Sequence, residues 1–186
     1  GAAVSCLVAA ALPEKVARLI LLDGLGALNT SAEETASQLR KGIIAHRRSS
    51  SRTPRYPDLE SAIAARVAGG VTPLDSITAT PLVERNTQAT ADGKVQMRTD
   101  SRLLKPSLVR FTPPQVLAVL SEIRAPVLLI EGEQGILGER AWAAQARQAV
   151  PQLTRHVLAG GHHLHLEPQA VERVAEVICR EGHTAS

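Results

Sequence analysis

The sequence predicts an α/β fold in which a parallel sheet is covered by helices. Two observations carry that prediction. Short apolar runs end abruptly in a carboxylate and a glycine, at residues 16–22 before Asp23-Gly24 and at 127–130 before Glu131-Gly132, and helical patterns alternate with them. A less apolar run, RHVL at 155–158, empties into Ala159-Gly160-Gly161-His162 and completes the series. Apolar runs without polar alternation suit parallel strands buried on both faces.

Taken in order, residues 2–12, AAVSCLVAAAL, are small and helix-forming, and Pro13 ends the helix because it cannot donate the next backbone bond. Pro13-Glu14-Lys15 reads as a turn, and VARLILL at 16–22 as the first strand. A long insertion then runs from 27 to 122, with helical stretches around 32–46, 58–68 and 114–122 separated by Ser, Pro, Thr and Gly. Structureless loops beyond about 15 residues are uncommon inside compact domains, so the insertion reads as a helical cap. The second strand, 127–130, is introduced by Ala125-Pro126. Helices about 138–149 and 167–181 flank the third strand. The chain thus divides into a core segment 1–26, the insertion 27–122 and a second core segment 123–186, with no internal repeat.

Composition excludes several classes. The 186 residues suffice for one domain with a substantial core, and with 44% hydrophobic but 2% aromatic residues that core is built from Ala, Leu, Val and Ile. Lys and Arg number 21 against 18 Asp and Glu, a net charge of +3, too little to argue for nucleic acid or an anionic membrane. The excess is local, in Arg40-Lys41 and from His46-Arg47-Arg48 through Arg52 and Arg55. That Ser- and Pro-rich stretch has no interleaved aromatics on which bases could stack, so it reads as a solvated loop. Cys6 and Cys179 lie far apart in helical patterns and read as reduced core thiols. No apolar run reaches the roughly 18 to 20 residues that span a bilayer, and the start lacks the basic region of a signal peptide, so a cytoplasmic protein is expected.

In an open parallel sheet, functional groups gather at the carboxyl ends of the strands. Three loops qualify: Asp23-Gly24-Leu25-Gly26, Glu131-Gly132-Glu133-Gln134-Gly135, and Gly160-Gly161-His162 through Glu167. Gly161-His162 followed by Leu164, Leu166, Glu167 and Pro168 resembles the last-strand pattern of the α/β-hydrolase family, and the resemblance extends over essentially the whole chain. It implies that the strands are the last three of that family's core sheet and that His162 is the catalytic base. Chemically, a histidine held by glycines at a strand end can take a proton from a nucleophile and return it.

The same resemblance makes Gly1 look like the closing glycine of the G-x-S-x-G nucleophile elbow and residues 2–12 the helix behind it. The nucleophile is then expected ahead of residue 1, and the chain taken alone is expected to lack triad-dependent hydrolysis. Ser5, inside that helix, reads as a packing residue. The acid is less plain: the family commonly carries Asp in a G-x-x-D pattern after the penultimate strand, and here Gly132-Glu133-Gln134-Gly135 ends in Gly. Some relatives draw the acid from the strand before the cap, where Asp23 stands in LLDGLG. Asp23 is therefore the preferred acid and Glu133 the alternative. The cap segment from Asp92-Gly93-Lys94 to Ser107, with EGEQG and GGHHLHLE, resembles a subgroup called serine hydrolase-like proteins.

What the resemblance implies is a serine hydrolase acting on a small-molecule ester or similar acyl substrate, without cofactor. An aspartate nucleophile, as in dehalogenases and epoxide hydrolases, or a non-catalytic binding module on the same scaffold are the alternatives. His162, His163 and His165 within four positions suggest metal ligands, but a zinc site wants further ligands at defined spacing, so no metal is expected.

Overall fold

The computed structural model describes residues 1–48, 53–70 and 72–183, so residues 49–52 of the basic stretch lie outside the described part. Helix α1 spans Ala2–Ala11 and stops ahead of Pro13. Strand β1, Leu19–Leu22, is shorter than the apolar run that announced it, because Pro13–Lys15 forms a 3-10 turn and pairing begins only at Leu19. Then come α2 (Thr35–Arg47), β2 (Arg55–Tyr56), α3 (Leu59–Ala68), α4 (Ser76–Asn86), β3 (Thr87–Ala89) and β4 (Val95–Met97). Helix α5 (Pro113–Ser121), strand β5 (Val127–Gln134), α6 (Ala141–Ala149), β6 (Leu153–Gly161) and α7 (Val171–His183) complete the described chain.

The chain packs as two compact units, Gly1–Ala32 with Arg110–Ser186, and Glu33–Val109. In the first, a parallel sheet has the order β1-β5-β6, with Leu19 opposite Val127 and Val127 opposite Leu153. Successive side chains of a strand point to opposite faces. Leu21 and Leu129 accordingly enter a core with Cys6 of α1, Leu120 of α5 and Ala146 of α6, while Leu128 and Ile130 enter a second core with Val174 and Val177 of α7. Both faces of β5 are thus buried, from Val127 through Ile130, as its unbroken apolar run predicted.

Helix α5, read from the sequence as part of the insertion, belongs to this first unit. Its Val116 and Leu120, one turn apart, are 1% and 0% exposed in the core beside the sheet. An apolar stripe announces that a helix is buried without saying against what.

The second unit contains more than helices. Strands β2, β4 and β3 form a small antiparallel sheet in that order, its hairpin closed by Gly93 at φ +77 and by the Thr90 N–H donating to the Lys94 carbonyl at 2.8 Å. Strands of two and three residues are too short for a period of two to show in a sequence. Helix α4 escapes sequence reading because Pro81 lies inside it; it is started by Asp75, whose carboxylate accepts the Thr78 N–H at 2.7 Å.

Neither Cys6 nor Cys179 forms a disulfide, but only Cys6 is a core thiol; Cys179 is exposed on α7, a correction to the reading of both as buried. Burial pushes the Cys6 thiol above its ordinary value, against a hydrogen bond from the Gly26 backbone. Among the described residues no helix is long and apolar enough to cross a membrane.

Candidate active site

Strand β1 ends at Leu22, and the next residue leaves the sheet by an unusual backbone. Asp23 has φ +46, a left-handed conformation that non-glycine residues seldom adopt and that Asp tolerates better than most. Its N–H still donates to the Ile130 carbonyl at 2.7 Å, so the peptide remains in register with β5 while the side chain turns across the end of the sheet. The carboxylate is fully buried. Oδ1 accepts the Gly132 N–H at 3.2 Å and Oδ2 the Ile136 N–H at 2.8 Å, which supplies the partners that a buried charge requires.

Gly135 explains how that carboxylate fits. A Cβ at position 135 would lie 2.0 Å from Asp23 Oδ1, far inside contact distance. The Asp23 carboxylate thus fills the space that any side chain of residue 135 would need. The missing Asp of the later loop and the Asp at the earlier strand are one feature, since the two side chains cannot coexist. Gly135→Ala is expected to lose about 1–3 kcal/mol of stability by overpacking, and to displace the carboxylate. Thermal melting together with ester turnover checks this, and an alanine variant unchanged in both would contradict it.

The loop after β6 is built as tightly. Gly132 lets the ends of β5 and β6 close up, because a Cβ there would lie 2.5 Å from the carbonyl oxygens of Gly160 and Gly161. Gly160 sits at φ +132, and its missing side chain makes room for the Glu167 carboxylate. That carboxylate accepts the Gly161 N–H at 2.9 and 3.1 Å, closing residues 161–167 into a loop. Leu164, fully buried in the α7 core, anchors it from below. Between these two fixings His162 leans over the sheet end, 28% exposed, with Nδ1 2.8 Å from Asp23 Oδ2. A carboxylate only accepts, so Nδ1 carries the proton and the neutral ring keeps its basic lone pair on Nε2.

The structure brings Asp23 and His162 together across 139 residues of sequence. Glu133, the alternative acid, is exposed to solvent. Ser5 donates to the Gly1 carbonyl at 3.3 Å inside α1. The start of that helix lies beside the Asp23-Gly24 turn: a Cβ on Gly24 would come within 2.9 Å of the Ala2 Cβ. His163 stands edge-on to His162 with ring centroids 4.8 Å apart, and His165 lies 6.0 Å beyond His163. Burial, and secondarily His162, pushes His165 below the ordinary imidazole value. Among the described residues no group of three or more His, Cys, Asp or Glu is placed to hold a metal ion.

One feature left no signal in sequence patterning. Glu131, read only as the end of a strand, has a side chain 2% exposed, between Arg147 of α6 and Arg155 of β6 at 2.8 and 2.9 Å.

No protein-family profile matches the chain. A serine hydrolase-like protein of Dictyostelium discoideum is 28% identical over 183 residues, 90% of this chain and 49% of that protein. A crystal structure of a hypothetical protein from Pseudomonas aeruginosa PAO1 is 35% identical with a TM-score of 0.86, covering 98% of this chain and 64% of that one. The thioesterase domain from the curacin biosynthetic pathway is 26% identical with a TM-score of 0.68, over 97% of this chain and 63% of that domain. The chain belongs to the α/β-hydrolase superfamily. This α/β-hydrolase chain spans about half the length of the curated relative and under two thirds of the two structures. The likeness to the two structures covers nearly the whole of this chain, its parallel β1-β5-β6 sheet included.

Proposed function

We propose that His162 and Asp23 are the base and acid of a Ser-His-Asp triad that hydrolyses an ester or similar acyl substrate, the serine being supplied by the protein ahead of Gly1. The observation that carries this reading is the 2.8 Å contact between His162 Nδ1 and a fully buried Asp23 carboxylate, itself held by two backbone N–H groups. The start of α1 against the Asp23-Gly24 turn supports the position of the nucleophile, because an elbow leading into that helix would deliver its side chain to the same end of the sheet.

In this mechanism the serine hydroxyl attacks the carbonyl carbon as Nε2 of His162 takes its proton. Asp23 holds the ring orientation and stabilises the imidazolium that forms. The tetrahedral intermediate collapses when Nε2 returns the proton to the leaving oxygen or sulfur, leaving an acyl-serine. Water, deprotonated by the same nitrogen, then releases the acid and regenerates the serine. Thioesters belong among the substrates to be tried, since one structural relative is a thioesterase domain.

The test uses the full-length protein with a short-chain activated ester, the matching thioester and a serine-directed fluorophosphonate. The expected result is turnover of at least one acyl substrate, abolished by phosphonylation of a single serine ahead of Gly1. An alkyl halide and an epoxide are assayed beside them, and their turnover with oxygen from labelled water entering an aspartate, through hydrolysis of an alkyl-aspartyl ester, would establish the aspartate-nucleophile chemistry. A protein that turns over none of these substrates and takes no fluorophosphonate would be a binding module, and either result overturns the proposal.

A further inference from the structure

The ion cluster beneath the acid loop takes no part in the mechanism above. Arg147, on α6, has a side chain only 9% exposed. Its Nε donates to Glu131 Oε1 and its Nη2 to Oε2, both at 2.8 Å, in the paired geometry of guanidinium on carboxylate. Nη2 donates in addition to the Gly138 carbonyl. One guanidinium therefore grips both ends of the segment 131–138. Inside that segment lie the N–H groups of Gly132 and Ile136, the two that hold the Asp23 carboxylate. The segment contains Gly132, Gly135 and Gly138, which leave its backbone great conformational freedom. Gly135 cannot give up that freedom for a side chain, since Asp23 fills the space.

A buried ion pair is a poor device for stability alone, because desolvating both charges offsets much of their attraction. Position is what it can supply. We propose that Arg147 is a positioning residue for the triad acid: by pinning Glu131 and Gly138 it fixes the two N–H donors that aim Asp23 at His162 Nδ1. This rests on the triad reading above. Arg147 itself touches neither Asp23 nor His162 in the hydrogen bonds described, so it acts through the loop. Arg155 also meets Glu131 but is 33% exposed and keeps Glu139 at 2.8 Å as a second partner.

The experiment is a mutant cycle in the full-length protein, with kcat, KM and melting temperature measured for each variant. Arg147→Met leaves the Glu131 charge buried and unpaired and can unfold the protein, so Glu131→Gln/Arg147→Met, which removes both charges, is made beside it. Each is also placed in the Asp23→Asn background. A misplacement of reacting groups by about an ångström costs on the order of 100-fold in rate, and a kcat loss of that order with little change in KM is expected for both variants. The double neutralisation should recover melting temperature without recovering kcat. In the Asp23→Asn background neither variant should lower kcat further, because no carboxylate is left to aim. Recovery of kcat together with melting temperature would show a merely stabilising pair, and an equal loss on both backgrounds would show that Arg147 acts elsewhere; either overturns the proposal. Undiminished kcat in Asp23→Asn alone would sink the triad reading with it, whereas undiminished kcat in the neutralised pair would sink only the role of Arg147.

Discussion

Replacing His162 by alanine in the full-length protein is expected to lower kcat for an activated ester by about 10⁶-fold, the loss at which only binding and oxyanion stabilisation remain once the base of a triad is gone. His162 Nδ1 lies 2.8 Å from the fully buried Asp23 carboxylate, and that bond leaves Nε2 as the basic nitrogen. His163 and His165 lie one and two rings away. Burial makes His165 harder to charge, which suits it to packing rather than to shuttling protons. His163→Ala and His165→Ala should therefore keep most of kcat, with any change appearing in KM. Steady-state kinetics of the three alanine variants decides the matter. Near-normal turnover in His162→Ala with loss in His165→Ala would reassign the base.

The second large effect is expected at Asp23. Asp23→Asn preserves shape but exchanges one acceptor for a donor, and neither orientation of the amide fits. With its NH₂ in place of Oδ2, it faces the Ile136 N–H and presses a donor on His162 Nδ1, which drives the ring proton to Nε2 and removes the base. With its NH₂ in place of Oδ1, it faces the Gly132 N–H, and that buried donor goes unpaired at a cost of about 1–3 kcal/mol. The second orientation keeps the useful tautomer but loses the negative charge that stabilises imidazolium. A fall in kcat of about 10⁴-fold follows from the analogous change in a serine protease triad, accompanied here by a lower melting temperature. Glu133→Gln should change little, because Glu133 is exposed. Kinetics and thermal melting of the two variants give the ranking, and a reversal would move the acid to the later loop.

Some of this was written locally in the chain. The buried strands announced themselves as apolar runs, and Gly160-Gly161-His162 marked a histidine at a strand end, because both are properties of neighbouring residues. The end of β5 was not legible. The charge of Glu131 suggests that the strand stops at Ile130, yet pairing continues to Gln134, because Arg147 and Arg155 arrive to neutralise that carboxylate. Likewise Pro81 hid α4, and strands as short as Arg55–Tyr56 carry no period to detect.

What the sequence determined by itself was the alternation of strand and helix, the loops at the strand ends, and a short list of candidate residues within them. Tertiary structure decided which of them lie together. Asp23 and Glu133 are equally carboxylates at strand ends, and nothing within a few residues of either says which meets His162. The choice was made by the left-handed turn at Asp23, by two N–H groups more than a hundred residues away, and by the empty side of Gly135. Such preferences exist only when the strand ends lie side by side, since a buried carboxylate is stabilised by donors fixed in space and a Cβ is excluded by atoms that occupy it. The grip of Arg147 on Glu131 and Gly138 belongs to the same class: no local pattern predicts it, because its effect arises from distances between elements.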